Sequence, residues 1–326
     1  MKTVLLTGAG GAPSPGLIRH LKQSGFRVLA ADMDKFAPGL FIADKGFIIP
    51  AGKSPDFLNA MRNICNNESV DVIIPGVDEE LIPVLELENE GISILLPQLD
   101  FVKLCLDKYL LMQCMKSKDI SVPETRLATQ GAGDLQFPVI VKPRIGRGSR
   151  HIKIVSSEND LKDCINSLPY SPEQILLQEY IDGQEFTVSV IVWRDGLVQA
   201  VVPKEIILKK GITYLAVTRY NQFIENMAKE IQEKMKANGP FNLQLKIDKN
   251  SQQPVPFEIN PRFSTTISLT IASGIDELTG LINQAIGDTK NHFFGEWQEG
   301  TVLLRQTYDQ FITEEDYLKS QILNEC

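Results

Sequence analysis

The chain is poor in the features that mark secreted, membrane-spanning or nucleic-acid-binding proteins. No apolar run approaches the roughly 18 residues of a transmembrane helix, and the apolar stretch after Lys2 is too short for a signal peptide. The formal net charge of −8 argues against a nucleic-acid partner. Five cysteines form no CxxC pair, which favours reduced thiols in a cytoplasmic protein: Cys65, Cys105, Cys114, Cys164 and Cys326.

Signatures of several enzyme classes are also missing. The sequence contains no GxxxxGK[ST] phosphate-binding loop and no Tyr-x-x-x-Lys pair of the kind that a short-chain dehydrogenase uses. Only three histidines are present, and none has a supporting motif beside it, so we do not expect histidine catalysis: His20, His151 and His292.

A glycine-rich turn, TGAGGAPSPGL, joins the first predicted strand to a helix. Together with Asp32 at the end of the second strand, it resembles a dinucleotide-binding fingerprint. Pro13 and Pro15 interrupt the GxGxxG spacing, so an NAD(P)-dependent Rossmann enzyme is kept only as a remote alternative. The helix start near Ser14 and Gly16 either attracts a substrate anion or is a purely structural turn.

The first hundred residues alternate between strand-like and helix-like segments. The strand-like runs are TVLLTG, FRVLAADMD, VDVIIPG and ISILLP, and helices are expected over 14–25, 54–66 and 78–90. This alternation predicts a parallel sheet with helices on both faces. The following segment, LPQLDFVKLCLDKYLLMQCMKSKDI, is expected to continue as helix up to SVPET.

After about Pro123 the pattern changes to strands at short spacing. The runs FPVIVKP, HIKIVS, QILLQEYI, EFTVSVIVW and GLVQAVVP surround one helix near 158–167, which favours a mostly antiparallel α+β region. A helix, YNQFIENMAKEIQEKMKANG, is expected to stop at Gly239. Two strands, FNLQLKID and VPFEIN, and a last one in TVLLRQTY follow.

The strand pair near the C-terminus carries the most informative group of polar residues. Alternation places Gln244 on the polar face of the first strand, and Glu258 and Asn260 share a face of the second. If the strands pair, one carboxylate and two amide oxygens converge, a set that suits magnesium. Arg262 follows and can bind a phosphate. The alternative is a hairpin with a solvated polar face.

Two earlier segments offer contacts to a nucleotide. The loop RIGRGSR follows a strand that ends near Lys142, and its backbone N–H groups and cations can cover phosphates; the alternative is a mobile turn. In LLQEYIDGQEF, extended backbone over 179–181 can meet an adenine edge and Glu185 can meet ribose hydroxyls. Solvated acids in a strand–turn–strand are the alternative there.

The order of these segments, DKYLL, VIVKPRIGRGSR, QEYIDGQEF and FNLQLKID…FEINPRFS, resembles the ATP-grasp superfamily, in particular the branch similar to the carbamoyl-phosphate synthase large subunit. The resemblance extends to about residue 305 and covers a single, unduplicated unit. It implies an α/β N-terminal domain with a parallel sheet, Rossmann-like, over 1–106. Two α+β ATP-grasp subdomains are then expected, a lid with the glycine loop over 107–186 and a catalytic, metal-binding one over 187–326.

The resemblance also implies a role for each matching residue. Residues implied to bind ATP are Lys108, Lys142, Gly146, Arg147, Gly148, Ser149, Glu179, Tyr180, Ile181 and Glu185. Those implied to bind Mg²⁺ or Mn²⁺ are Gln244, Glu258 and Asn260, although many relatives have Glu at the first position. The implied catalytic residues are Arg262, Lys142 and, on weaker grounds, Lys204.

The implied activity is that of a carboxylate–amine ligase. A carboxylate attacks ATP to give an acyl phosphate and ADP, and an amine then displaces phosphate, with metals and cations neutralising charge. Small-molecule carboxylates and amines are the expected partners, and a homodimer is allowed. Stand-alone or split carbamoyl-phosphate synthase chemistry is the alternative. The acceptor pocket is not assigned, because Ser264, Thr265 and Thr266 occupy the stretch after NPR in which relatives often have a glycine. Ser264 suits either the lining of that pocket or the cap of a helix.

Overall fold

The computed structural model describes residues 1–287, 295–315 and 317. Two residues considered above, His292 and Cys326, lie outside the described residues. The described chain forms three sheets, one parallel and two antiparallel. Within this part of the chain, no helix has the length and apolar character needed to cross a membrane.

The N-terminal domain is the predicted parallel sheet, with strand order β3-β2-β1-β4-β5. Its strands lie between helices and three short 3-10 segments. The strands and helices are β1 (Thr3–Thr7), α1 (Ser14–Gln23), β2 (Arg27–Asp32), β3 (Lys45–Ile48), α2 (Phe57–Glu68), β4 (Val72–Ile74), α3 (Leu81–Val84) and β5 (Ser93–Ile94). The helix expected over 78–90 is instead 3-10 helix at both ends around α3.

The helix expected to continue up to SVPET is broken in two, so that expectation is wrong. Helix α4 (Leu99–Leu106) ends before Asp107, whose backbone is extended, and α5 (Lys108–Ser117) begins after it. The Asp107 side chain accepts hydrogen bonds from two N–H groups in the first turn of α5, as an N-cap does. Arg144 binds the same carboxylate at 2.7 Å. The break makes Lys108 the first residue of α5.

The second sheet is small, antiparallel and ordered β6-β9-β7-β8, and we call it the lid sheet. Its elements are β6 (Thr125–Leu127), β7 (Val139–Pro143), β8 (Lys153–Val155), α6 (Glu158–Ser167) and β9 (Ile175–Glu179). Ser157 caps α6 by accepting from the N–H of Asp160, so the predicted helix begins where its capping residue stands.

The third sheet, called the large sheet, has the order β14-β13-β10-β11-β12-β15 and is antiparallel throughout. The predicted end of the lid at residue 186 falls inside β10 (Gly183–Val192), the first strand of this sheet along the chain. The sequence did not predict β12. Its elements are β10 (Gly183–Val192), β11 (Val198–Lys210), β12 (Ile212–Thr218), α7 (Gln222–Met235), β13 (Phe241–Asp248), β14 (Pro254–Asn260), α8 (Ile267–Ala272), α9 (Glu277–Ala285) and β15 (Val302–Leu304).

Two apolar cores fasten these units together. One packs N-terminal residues such as Ile18 and Leu21 against Ile267 and Leu278 of α8 and α9. The other packs α4, α5 and α7 against one face of the large sheet, with Phe101 and Phe241 in contact at 5.6 Å between ring centroids. Burial of such side chains stabilises each contact by about 1.5–3 kcal/mol per residue. The N-terminal domain is therefore held beside the large sheet.

Glu80 is a buried acid at the end of the 3-10 segment Asp78–Glu80 that follows β4, and it is only 5% exposed. It accepts a hydrogen bond from the hydroxyl of Thr7, which in turn accepts from the N–H of Gly76 at 3.1 Å. Burial raises the pKa of Glu80 to about 7, against the hydrogen bond from Thr7, and the charge of Asp32 adds to the rise. Between about pH 4.5 and 7, the folded chain therefore keeps the Glu80 carboxyl protonated, whereas an unfolded glutamate is ionised.

We predict that Glu80→Gln removes a pH dependence of folding. The folded pKa lies above the ordinary value of 4.5, so the wild-type unfolding free energy falls as the pH rises from about 4.5 to 7. The variant keeps an acceptor for Thr7 and should gain up to about 3 kcal/mol over wild type at pH 8 relative to pH 4.5. Urea unfolding at both pH values measures this. Glu86→Gln, at an exposed position of the same segment, is the control, and an unchanged slope in Glu80→Gln would contradict the assignment.

Candidate active site

A cavity of about 560 Å³ opens between the lid sheet and the large sheet. Apart from Lys204, every residue to which the ATP-grasp resemblance assigns a nucleotide, metal or catalytic role lines it. These residues are Lys108, Lys142, Gly146, Arg147, Gly148, Ser149, Glu179, Tyr180, Ile181, Glu185, Gln244, Glu258, Asn260 and Arg262. Segments that are 154 residues apart in the chain, from Lys108 to Arg262, thus share one space.

The expected metal ligands meet because of the register between β13 and β14. Gln244 stands opposite Glu258, and Asn242 stands opposite Asn260. Within the described part of the chain, the side chains of Gln244 and Asn260 form no hydrogen bond, so their amide oxygens are free to face the cavity. Lys108 Nζ lies 3.2 Å from Glu258 Oε1. One carboxylate and two amide oxygens fit a hard cation such as Mg²⁺.

The glycine loop is held from two sides. Lys108 Nζ donates to the carbonyl oxygen of Gly146 at 2.6 Å, and Arg147 Nε donates to Glu79 Oε2 at 2.8 Å. Gly148 has a φ of 69°, a left-handed conformation that glycine adopts without strain. The loop therefore lines the cavity and is connected to the N-terminal domain through the contact of Arg147 with Glu79.

Gln178 is a functional candidate that the sequence reasoning missed. The buried Lys142 Nζ donates to Gln178 Oε1 at 2.8 Å, and Gln178 Nε2 donates to Thr125 Oγ1 at 2.8 Å. Burial lowers the pKa of Lys142 to about 8, while the charge of Glu258 opposes that change. Alternation along β9 was the sequence signal that could have found this residue. It places Gln178 on the same face of the lid sheet as Lys142 of β7.

Two lysines that the sequence reasoning also missed hold the predicted adenine and ribose segment. Lys209 Nζ pairs with Glu185 at 2.6 Å. Lys246 Nζ donates to the carbonyl oxygen of Ile181 at 2.9 Å and lies 4.8 Å from the centroid of the Tyr180 ring. Both lysines line the cavity. Lys209 lies on β11 and Lys246 lies on β13, the two strands that flank β10 in the large sheet. The pairing of these strands with β10 brings both lysines close to residues 180–185.

The N-terminal domain contributes two acids that sequence reasoning did not place at the site. Arg262 Nε binds Asp78 Oδ1 at 2.7 Å, with both side chains mostly buried, and Arg147 binds Glu79. Both acids follow β4, at the edge where the carboxyl ends of the parallel strands meet. They bring the N-terminal domain to the two arginines expected to meet phosphate groups.

The opening glycine turn uses its polar groups internally. Gly10 N–H donates to Asp32 Oδ2 at 2.7 Å, and Asp34 N–H donates to the other oxygen at 2.9 Å. Ser14 Oγ donates to the carbonyl oxygen of Gly8 at 2.8 Å. Asp32 therefore closes this turn instead of presenting free oxygens to a ribose. The turn does not line the cavity, although Gly76 beside it does.

Lys204, which the resemblance weakly implied to be catalytic, is not among the residues that line the cavity. It stands opposite Thr187 and Thr218 in the large sheet, and Thr187 stands opposite Gln244, so its face was correctly assigned. Helices α8 and α9 cover that part of the face, however, and leave Lys204 fully buried. Its Nζ donates to Ser189 Oγ at 2.8 Å and to a threonine hydroxyl of α8 at 2.7 Å.

Glu277 of α9 completes this buried group, since its Oε1 accepts from Ser189 Oγ at 2.8 Å. Burial lowers the pKa of Lys204 to about 8, with the charge of Glu277 opposing the change. Burial likewise raises the pKa of Glu277, and Lys204 opposes that rise. The pair fastens α8 and α9 to the sheet, which is a structural task.

We predict that Lys204→Met destabilises the fold by about 3 kcal/mol, because it leaves Glu277 buried without a cation. The double variant Lys204→Met with Glu277→Leu should regain most of this loss, since both charges are then gone. Urea unfolding of both variants measures the difference. A single variant as stable as wild type would contradict the structural role.

Comparison with known proteins agrees with this arrangement. A family model described as ATP-grasp in the biosynthetic pathway with Ter operon matches residues 171–305, and a model described as the PylC-like N-terminal domain matches residues 4–94. The carbamoyl-phosphate synthase of Methanobrevibacter smithii is 22% identical over 294 residues, which are 82% of this chain and 77% of that protein. The resemblance predicted from the motifs is confirmed.

Solved structures with low sequence identity share the fold. The biotin carboxylase domain of the Hydrogenobacter thermophilus 2-oxoglutarate carboxylase, in complex with MgADP, ADP and bicarbonate, has a TM-score of 0.73 at 19% identity, covering 92% of this chain and 73% of that one. The L-amino acid ligase of Bacillus licheniformis has a TM-score of 0.72 at 16% identity, covering 92% and 78%. The predicted fold class is confirmed.

Proposed function

We propose that the chain is an ATP- and magnesium-dependent ligase, because a PylC-like N-terminal domain model and, after it in the sequence, an ATP-grasp model match it. It activates a small-molecule carboxylate as an acyl phosphate and couples it to an amine. One observation carries the proposal: a single cavity collects the predicted nucleotide, metal and phosphate-binding residues from both sheets. The carbamoyl-phosphate synthase relative and the fold shared with an L-amino acid ligase support it.

ATP is proposed to lie between the two sheets. The backbone around Tyr180 and Ile181 meets adenine, and Glu185, held by Lys209, meets the ribose hydroxyls. Lys142, oriented by Gln178, and Lys108 bind the phosphates. Since Lys142 is buried and its pKa is lowered to about 8, phosphate oxygens restore a favourable partner for its charge.

Gln244, Glu258 and Asn260 are the residues that would hold Mg²⁺. When bound, the cation neutralises charge on the phosphates and orients them. Lys108, which lies 3.2 Å from Glu258, keeps that carboxylate paired and adds a further positive charge at the same place. The protein contributes positioning and electrostatic stabilisation rather than a covalent nucleophile.

In the first step, a carboxylate oxygen of the substrate forms a bond to the γ-phosphorus, and the bond from that phosphorus to the β,γ-bridging oxygen breaks. ADP leaves, and Arg262 stabilises the phosphoryl group in transfer. In the second step, the amine nitrogen attacks the acyl carbon, inorganic phosphate leaves with the electrons of the C–O bond, and the nitrogen loses a proton.

Carboxyphosphate chemistry is the second candidate function. The curated relative is a carbamoyl-phosphate synthase, and one fold neighbour was solved with bicarbonate. In that case bicarbonate takes the place of the organic carboxylate in the first step. ATP turnover that depends on bicarbonate without an organic acid favours this reading.

We predict that Glu258→Gln lowers magnesium-dependent phosphate release by about a hundredfold or more, because it removes the carboxylate of the proposed metal site. The assay combines ATP, magnesium, pooled amino acids and bicarbonate, and mass spectrometry identifies the coupled product. Glu205→Gln, on the same sheet and paired with Arg219, is the matched control. Full activity in Glu258→Gln would refute the metal assignment, and no release by wild type with any substrate would refute the function.

A further inference from the structure

Arg147 connects the glycine loop to the N-terminal domain through a single partner. Its Nε donates to Glu79 Oε2 at 2.8 Å, and among residues 1–287, 295–315 and 317 its side chain has no other hydrogen bond or ion pair. The two side chains are 37% and 32% exposed. An ion pair this accessible to water adds little to the stability of a fold, so the contact matters chiefly for the loop that carries Arg147.

The loop has a backbone conformation that its sequence does not favour. Gly148 has a φ of 69°, and Ser149 and His151 have φ values of 55° and 59°. Residues other than glycine seldom adopt this left-handed region, and they remain there only where the surrounding structure holds them. The shape of the loop beside the cavity therefore depends on the contacts at its anchoring points.

Three of these contacts reach the loop from different directions. At its start, Lys108 Nζ donates to the carbonyl oxygen of Gly146 at 2.6 Å. At its end, the ring of His151 packs edge-on against the ring of Tyr170, with 5.5 Å between the centroids. Both partners follow the N-terminal domain in the chain, whereas Glu79 belongs to that domain. Of the three, the contact with Glu79 is the one that ties the loop to the N-terminal domain.

Glu79 stands at the edge of the N-terminal domain that faces the cavity. It follows Asp78, which binds Arg262 at 2.7 Å, so two adjacent acids hold two arginines that come from different sheets. Gly76, two residues before Asp78, lines the cavity, whereas Glu79 does not. This short segment therefore contacts both the proposed substrate space and the loop that is proposed to cover the phosphates.

We propose that Glu79 is a positioning residue, which holds the glycine loop closed through Arg147 and keeps water from the phosphoryl group in transfer. The inference rests on the proposed function and adds to it a residue that acts on ATP without touching it. When the contact is lost, a water oxygen forms a bond to the γ-phosphorus and the bond to the β,γ-bridging oxygen breaks. ADP leaves, the water gives up a proton to solvent, and ATP is consumed without coupled product.

Limited trypsin digestion of the full chain without nucleotide measures the loop directly, because Arg150 in the loop is exposed. Glu79→Gln should raise the rate of cleavage after Arg150 by about fivefold. Glu90→Gln is the matched control, since Arg62 Nε and Glu90 Oε1 are also 2.8 Å apart, at 34% and 32% exposure. A wild-type cleavage rate in Glu79→Gln, or an equal rise in Glu90→Gln, overturns the proposal.

Kinetics assign the effect to phosphoryl transfer rather than to folding. Glu79→Gln should raise the ratio of phosphate released to product coupled by about fivefold, raise KM for MgATP and leave the midpoint of urea unfolding unchanged. Because Glu79 acts through Arg147, the double variant should be no more impaired than Arg147→Gln alone. Additive effects of the two substitutions, or a change in the unfolding midpoint alone, would contradict the positioning role.

The ligase and the role of Glu79 fail separately. If wild type releases no phosphate with any substrate while Glu79→Gln is cleaved faster, Glu79 still holds the loop and the ligase is refuted. If wild type couples a carboxylate to an amine while Glu79→Gln keeps the wild-type ratio and cleavage rate, the ligase is retained and the positioning role is refuted.

Discussion

The cross-strand register of the large sheet is the constraint on which the site depends. One row of directly opposed residues runs from Glu258 through Gln244, Thr187 and Lys204 to Thr218, across five strands. Side chains in such a row share one face. A shift of one residue in any of these pairings would move the side chains of the following strand to the opposite face of the sheet. The pairing of β13 with β14 brings the expected metal ligands together, and the other three pairings place them on the same face as Thr187, Lys204 and Thr218.

The same row serves two tasks, according to what covers it. Over β13 and β14 the face is open, and its polar groups line the cavity. Over β11 the helices α8 and α9 lie on it, and Lys204 and Glu277 form a buried polar group with Ser189. Charges that leave water need partners, and in the covered half the hydroxyl of Ser189 connects the opposite charges of Lys204 and Glu277. The open half includes the side-chain amides of Gln244 and Asn260, which form no hydrogen bond among the residues that the structure describes and line the cavity.

Acids of the N-terminal domain hold the arginines of the cavity. Asp78 binds Arg262, and Glu79 binds Arg147 of the glycine loop. Several cations gathered in a partly desolvated space repel one another, and these carboxylates reduce that cost. The parallel sheet therefore contributes to a site that lies mainly between the other two sheets, because the carboxyl end of β4 points toward it.

The sequence by itself determined the parallel N-terminal sheet and the antiparallel strands after it, because alternation and helix periodicity are local properties. The order of the motifs, through the family resemblance, pointed to many of the residues that line the cavity. It did not determine the break at Asp107, where a tertiary contact from Arg144 and a local cap outweigh helix propensity. Nor did it place Gln178 or Lys204. Periodicity assigns a side chain to a face, but only the packing of other elements decides whether that face meets a cavity, a helix or a ligand.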